Sequence, residues 1–595
     1  MKKIFLITAL LLMFSSPSWA ANRYVRSAGG NYSTAATWAS TSGGTDSVAV
    51  PTSADDVFLD ANSGQLTVDA TSAAKSVNCT GYTGTLTHNA FVWTVAGSIT
   101  FVSGMTYTPL ATSTVTLSAT NTLTTAGKLF PLMILNTGIT TTLADGLNFM
   151  ASKVITLTLN GDSLALNGQT VSGNSATNRI LIRSNTLGTA RTITNTTGTF
   201  ANADFRDITL SAAADLSAIT GLSGDAGGNT SITFTTAADQ HWVSASGGNW
   251  STSSNWTSRV PLPQDDVYFD NAFSASQTVT ADMPRLGKSI DWTGASGTPT
   301  WSVSVSPTIY GSLTLINGMT FSSSVAWQFE GRGLFTLTNA GKTFGGAILI
   351  MLQAPGGTLT WQDASTLGAG GSWGLSDGTL ITNGYNYSGG GISLTQSSRT
   401  RAFNISDSTL TLLQTGTVWA ANNTLLTLTS TNSTILISDT GGSSKTFSGG
   451  GLTYNDLKIA GGGAGAVIIT GANTFNRIYT DGGGTKSITL PGSTTTTILS
   501  GQGLGNGTNV ITFTASAGSA TVSHALGNVD WDYVSLTNIP STGGGVFYAG
   551  SHSTDGGGNT GWLFSDAPPD TGFGYGRFNS GAFGGSPFGM SSFGM

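Results

Sequence analysis

Through most of the chain, apolar and hydroxyl side chains alternate in short runs. Ile155-Thr156-Leu157-Thr158-Leu159 is interrupted by Asn160-Gly161-Asp162, resumes as Leu164-Ala165-Leu166 and stops again at Asn167-Gly168. The same grammar gives Leu426-Thr427-Leu428-Thr429, a polar corner, and Ile435-Leu436-Ile437-Ser438. A period of two punctuated by Asn-Gly predicts short strands joined by tight turns, with aliphatic residues inward and threonines outward.

Superimposed on this alternation is a longer repeat. Tyr24-Val25, Gly29-Gly30-Asn31-Tyr32-Ser33-Thr34, Trp38, Val50-Pro51 and Asp55-Asp56-Val57-Phe58-Leu59-Asp60 form a head. It returns as Trp242-Val243, Gly247-Gly248-Asn249-Trp250-Ser251-Thr252, Trp256, Val260-Pro261 and Asp265-Asp266-Val267-Tyr268-Phe269-Asp270. A closing motif also occurs twice, as Asp225-Ala226-Gly227-Gly228-Asn229-Thr230 and Asp555-Gly556-Gly557-Gly558-Asn559-Thr560. These marks divide the chain into a module over 21–238, a longer one over 239–566, and a tail over 567–595.

Two all-β architectures accommodate such strands, an array of sandwiches and a solenoid whose coils stack on one another. The strands are short, the inward positions of the middles are mainly Leu, Ile and Val, and aromatics gather in the heads, which favours a narrow stacked core. The predicted fold is therefore an all-β parallel β-solenoid (β-helix) in two tandem modules. Coils of about 20–30 residues stacked at about 4.8 Å would give the two middles together a rod on the order of 100 Å.

The head pattern resembles modules at the start of β-helix segments in bacterial surface proteins of the adhesin and autotransporter-passenger type, and repeat proteins of tailed phages. That resemblance implies a structural or receptor-contact role on a cell surface or virion, with a surface polysaccharide or an envelope or virion protein as partner.

The ends and the composition narrow the setting. Lys2 and Lys3 precede an apolar run from Ile4 to Phe14 and a polar stretch ending Ser18-Trp19-Ala20, so residues 1–20 read as a signal peptide cleaved before Ala21, implying a secreted or extracellular protein. That run is too short to span a bilayer, and no later segment reads as transmembrane. Without the two lysines the formal charge of −6 becomes −8, so no basic field invites nucleic acid. Cys79, the single cysteine, cannot form an internal disulfide. Glu330 is the only glutamate, and so few helix-favouring charged residues predict almost no helix.

Few residues suggest chemistry. Asp55-Asp56 and Asp265-Asp266 fit turn or cap roles, because neighbours on a strand face opposite ways and Asp bonds readily to nearby amides. The Asp-x-Gly-Gly-Asn-Thr motif offers too few oxygens for a convincing calcium loop and reads as a tight turn, leaving calcium as the only cofactor suggested. His88, His241, His524 and His552 show no metal-ligand spacing. No catalytic residues and no metal site are assigned, and a non-enzymatic binding protein is expected; the alternative is a polysaccharide-degrading or tailspike-like β-helix enzyme. Tyr32, Trp38, Trp250 and Trp256 are candidate ligand-binding aromatics, since flat rings stack on sugars, and a packed cap is their other reading. In the tail, Phe573, Phe578, Phe583, Phe588 and Phe593 recur every five residues. That spacing makes no apolar face on a helix or strand, so the tail reads as flexible and as a candidate partner-docking peptide.

Overall fold

The structure is a computed structural model, described here for residues 20–568 except 196, 271, 274–276, 439–440, 461–464, 481–485 and 499–508. The predicted signal peptide, apart from Ala20, and the phenylalanines of the tail lie outside the described residues. Within them the chain is a parallel β-solenoid of about 21 turns. Helix is limited to two single 3-10 turns, Ala35–Thr37 and Ser253–Asn255.

The alternation read from the sequence sets the register. In one sheet Val57, Val77, Ile99, Leu123 and Leu143 lie in register on successive coils, all buried. On an outer face Thr67, Thr87 and Thr108 form a matching row. Because the side-chain period is two, a slip of one residue would turn each such row inside out, so the burial pattern itself pins the register.

The sheets form two sets. Strands from Asn22–Val25 to Thr230–Thr233 build one stack, with sheets of 11, 8, 4 and 4 strands; strands from Gln240–His241 to Trp562–Leu563 build another, whose largest sheet has 19 strands. No sheet among the described residues draws strands from both, and each stack has its own hydrophobic core.

Two expectations need correction. Aromatics are not confined to the heads: in the C-terminal stack Trp327, Ile350, Trp373, Ile392, Trp419, Phe447 and Ile469 share one inward row. Interleaving Ile between rings relieves crowding at a strand spacing of about 4.8 Å, which a short sequence window does not reveal. Nor do the stacks make one straight rod. The last coils of the N-terminal stack lie against the side of the C-terminal stack, where Arg179 Nη2 donates to the Pro261 carbonyl at 3.3 Å, Arg285 Nε meets Asp204 at 2.5 Å, and Lys153 pairs with Asp282.

Candidate functional site

Each head is a packed cap. Trp38 Nε1 donates to the Tyr32 carbonyl at 2.9 Å and Trp256 Nε1 to the Trp250 carbonyl at 2.7 Å, with ring centroids 4.8 Å apart in both pairs. Tyr32, Trp38 and Trp250 are 0% exposed and Trp256 3%. These four rings therefore present no face to a sugar, which corrects the ligand-binding reading. They were drawn inward because the chain after each 3-10 turn folds back as an antiparallel edge, Val25 facing Trp38 and Trp242 facing Trp256. Such short antiparallel edges blunt the open end of a parallel sheet. The register also realigns the heads. Tyr24 pairs with Phe58 and His241 with Tyr268, so Tyr24 corresponds to His241 and Val25 to Trp242, one residue away from the match that sequence alone suggests.

The paired aspartates divide as strand alternation requires. Asp55 is buried and accepts from Ala21 N, Thr52 N and Thr52 Oγ1; Asp265 accepts from Ala238 N, Leu262 N and the Arg259 guanidinium. Their neighbours turn the other way, Asp56 to Lys75 and Ser76, Asp266 to Lys288 and Ser289. In the closing motifs Asp225 Oδ1 accepts from Gly227 N and Asn229 Nδ2, and Asp555 Oδ1 from Gly557 N and Asn559 Nδ2. Both copies are thus self-bonded turns.

The densest charge cluster lies where the stacks meet, and linear motifs gave no sign of it. Asp204 bridges Arg179 and Arg285. Arg206 Nη1 donates to both carboxylate oxygens of Glu330 at 2.7 and 2.9 Å, and Arg332 Nη2 donates to Asp207 at 2.7 Å. Glu330, Asp204 and Asp207 are each 1% exposed or less. Tyr310 is pushed up from its ordinary value, first by burial and then by the charge of Glu330. The closing motif of the N-terminal stack fits into this contact: a Cβ on Gly228 would lie 2.2 Å from Asp207 Oδ1 and 3.0 Å from the Arg332 guanidinium, so only glycine admits the approach.

Clefts open on either side of these ion pairs. One, about 400 Å³, is lined by Asp225, Gln264, Lys288, Glu330 and Arg332. Another, about 380 Å³, is lined by Arg183, Asn185, Gln353, Ser376, Gln396 and Arg399. Arg399 crosses to the Leu187 carbonyl and pairs with Asp377 at 3.0 Å.

One further grouping escaped linear reading because its members sit on neighbouring coils. His552 Nδ1 lies 2.8 Å from Asp532, the imidazole stacks on Tyr533, and Asp566 accepts from Ser551 N and Oγ. Their ligating atoms fall within 4.8 Å of one another, at an exposed end of the C-terminal stack.

No family model, curated protein or solved structure matches this chain.

Proposed function

We propose that the protein is exported and acts outside the cell as a non-enzymatic structural or adhesive solenoid, on a bacterial surface or a virion, holding a carbohydrate or protein partner. The observation that supports this reading best is the outer surface itself: continuous parallel ladders present rows such as Thr67, Thr87 and Thr108 over successive coils. Hydroxyl rows on a rigid backbone suit extended, repetitive partners. The most buried carboxylates are already committed to ion pairs or caps, which suits architecture better than proton transfer. The Phe-spaced tail is proposed as the attachment peptide. The test is fractionation and surface labelling of producing cells or particles, with and without residues 570–595. Attachment should be lost on deletion, and attachment unchanged by deletion would remove the tail from the proposal.

A second reading, cleavage of a polysaccharide, draws on the Asp532, His552 and Asp566 grouping. Turnover of a polysaccharide that disappears in Asp532→Asn would establish it in place of the first.

A further inference from the structure

One outward row of the N-terminal stack departs from its own pattern. From coil to coil it reads Ala73, Thr94, Thr116, Ile134, Thr158, Arg183, Arg206. Two arginines on adjacent rungs, at a spacing of about 4.8 Å, repel each other, and like charges placed so are destabilising. Glu330 answers Arg206. Arg183 donates Nε to Thr158 Oγ1 at 3.1 Å and has no carboxylate within 4.0 Å among the described residues. Burial, and after it the charge of Arg206, lowers the hold of Arg183 on its proton, while the charge of Glu330, engaged with Arg206, works the other way without pairing with Arg183 directly.

The wall facing Arg183 belongs to the other stack and is hydrophilic. Gln353, Ser376, Gln396 and Arg399 line it, around a volume of about 380 Å³, within the range that ligand sites occupy. Amides and a hydroxyl opposite a guanidinium that has no carboxylate of its own match a ligand with many hydroxyls and an anionic group. No aromatic side chain lines the groove, so bases have no platform to stack on.

We propose that this groove between the stacks binds an acidic oligosaccharide, with an anionic group of the sugar against Arg183 and ring hydroxyls against Gln353, Ser376 and Gln396. The proposal deepens the adhesive reading above and rests on it. Neither stack alone supplies both walls, so the site exists only where the two meet.

The test is calorimetric titration of the purified full chain with tetragalacturonate and, as a neutral probe, its fully methyl-esterified form. Wild type should bind the acid at least about tenfold more tightly than the ester, the scale of one charge-assisted contact. Arg183→Thr, which restores the pattern of the row, should remove that preference while leaving the melting temperature unchanged or raised. Undiminished acid binding by Arg183→Thr, or a wild type that does not favour the acid, overturns the proposal. If Arg183→Thr lowers the melting temperature by more than about 5 °C, Gln353→Ala on the opposite wall decides: unchanged affinity there also overturns it. Failure of the groove leaves the adhesive reading standing if wild type still binds the neutral probe, other polysaccharides or envelope fractions. Binding to none of them ends both.

Discussion

A single nitrogen of Arg206, Nη1, reaches both carboxylate oxygens of Glu330, joining residues 124 positions apart in the chain and on opposite sides of the contact between stacks. The only glutamate in the sequence is thus spent on holding two solenoids side by side. Removing one partner of a buried pair strands the other charge, so Glu330→Ala should destabilise the contact by about 3–5 kcal/mol. Denaturant unfolding should split into two transitions, and limited proteolysis should speed up around residues 234–240. A single transition at the wild-type midpoint would show that the pair contributes little.

Gly224 tests the same contact by shape alone. A Cβ there would lie 2.1 Å from Asp204 Oδ1 and 2.6 Å from Pro263 Cδ. Gly224→Ala should therefore cost about 1–3 kcal/mol, as overpacking does. Small-angle scattering should register looser packing of the stacks, whereas unchanged scattering and stability would contradict the packing described.

His88 gives the fold a pH limit. Its Nε2 lies 3.0 Å from the Phe91 carbonyl, which can only accept, so in the neutral ring Nε2 carries the proton and Nδ1 accepts from the Tyr107 hydroxyl at 3.0 Å. Burial lowers its pKa from 6.5 to about 4. Because the unfolded chain takes up the proton first, stability is complete above about pH 6.5 and falls as pH drops toward 4, by up to about 3 kcal/mol. Melting curves across pH 7 to 4 should show this loss in wild type and a smaller one in His88→Gln. Equal slopes would assign the loss elsewhere.

Cys79 is 0% exposed and its thiol is pushed up to about 12 by burial. At pH 8 almost none of it is thiolate. A thiol reagent should leave the native protein untouched for hours and react at once after denaturation; rapid native labelling would mean that the coils around it open readily.

What the sequence made legible is what repeats. Period two placed Leu157 inside and Thr156 on the outer face, and the Asp55-Asp56 pair divided between faces as strand geometry demands. The heads were visible as units, yet their residues gave an alignment one position off at Tyr24 and His241, because only pairing to the next strand fixes which residue is equivalent. Exposure of Trp38 and Trp256 could not be judged from type: an aromatic beside a turn points outward or inward according to where the chain returns. The contact between stacks was hidden because its partners are distant, Arg179 from Pro261 and Arg206 from Glu330. A trace of it was present all the same, since Arg183 and Arg206 stand in a row otherwise filled mostly by threonine.

The second head bears on how the chain comes to be folded. A solenoid grows by adding each coil to the one before, and its slow event is the first coil, which has no template. If the edges closed by Trp38 and Trp256 each start a stack, the polypeptide carries two nuclei, and a coil near residue 400 need not wait for one near residue 60. Assembly then ends with a collision between two finished bodies, and the ionic contact at Glu330 is the step whose rate should respond to salt.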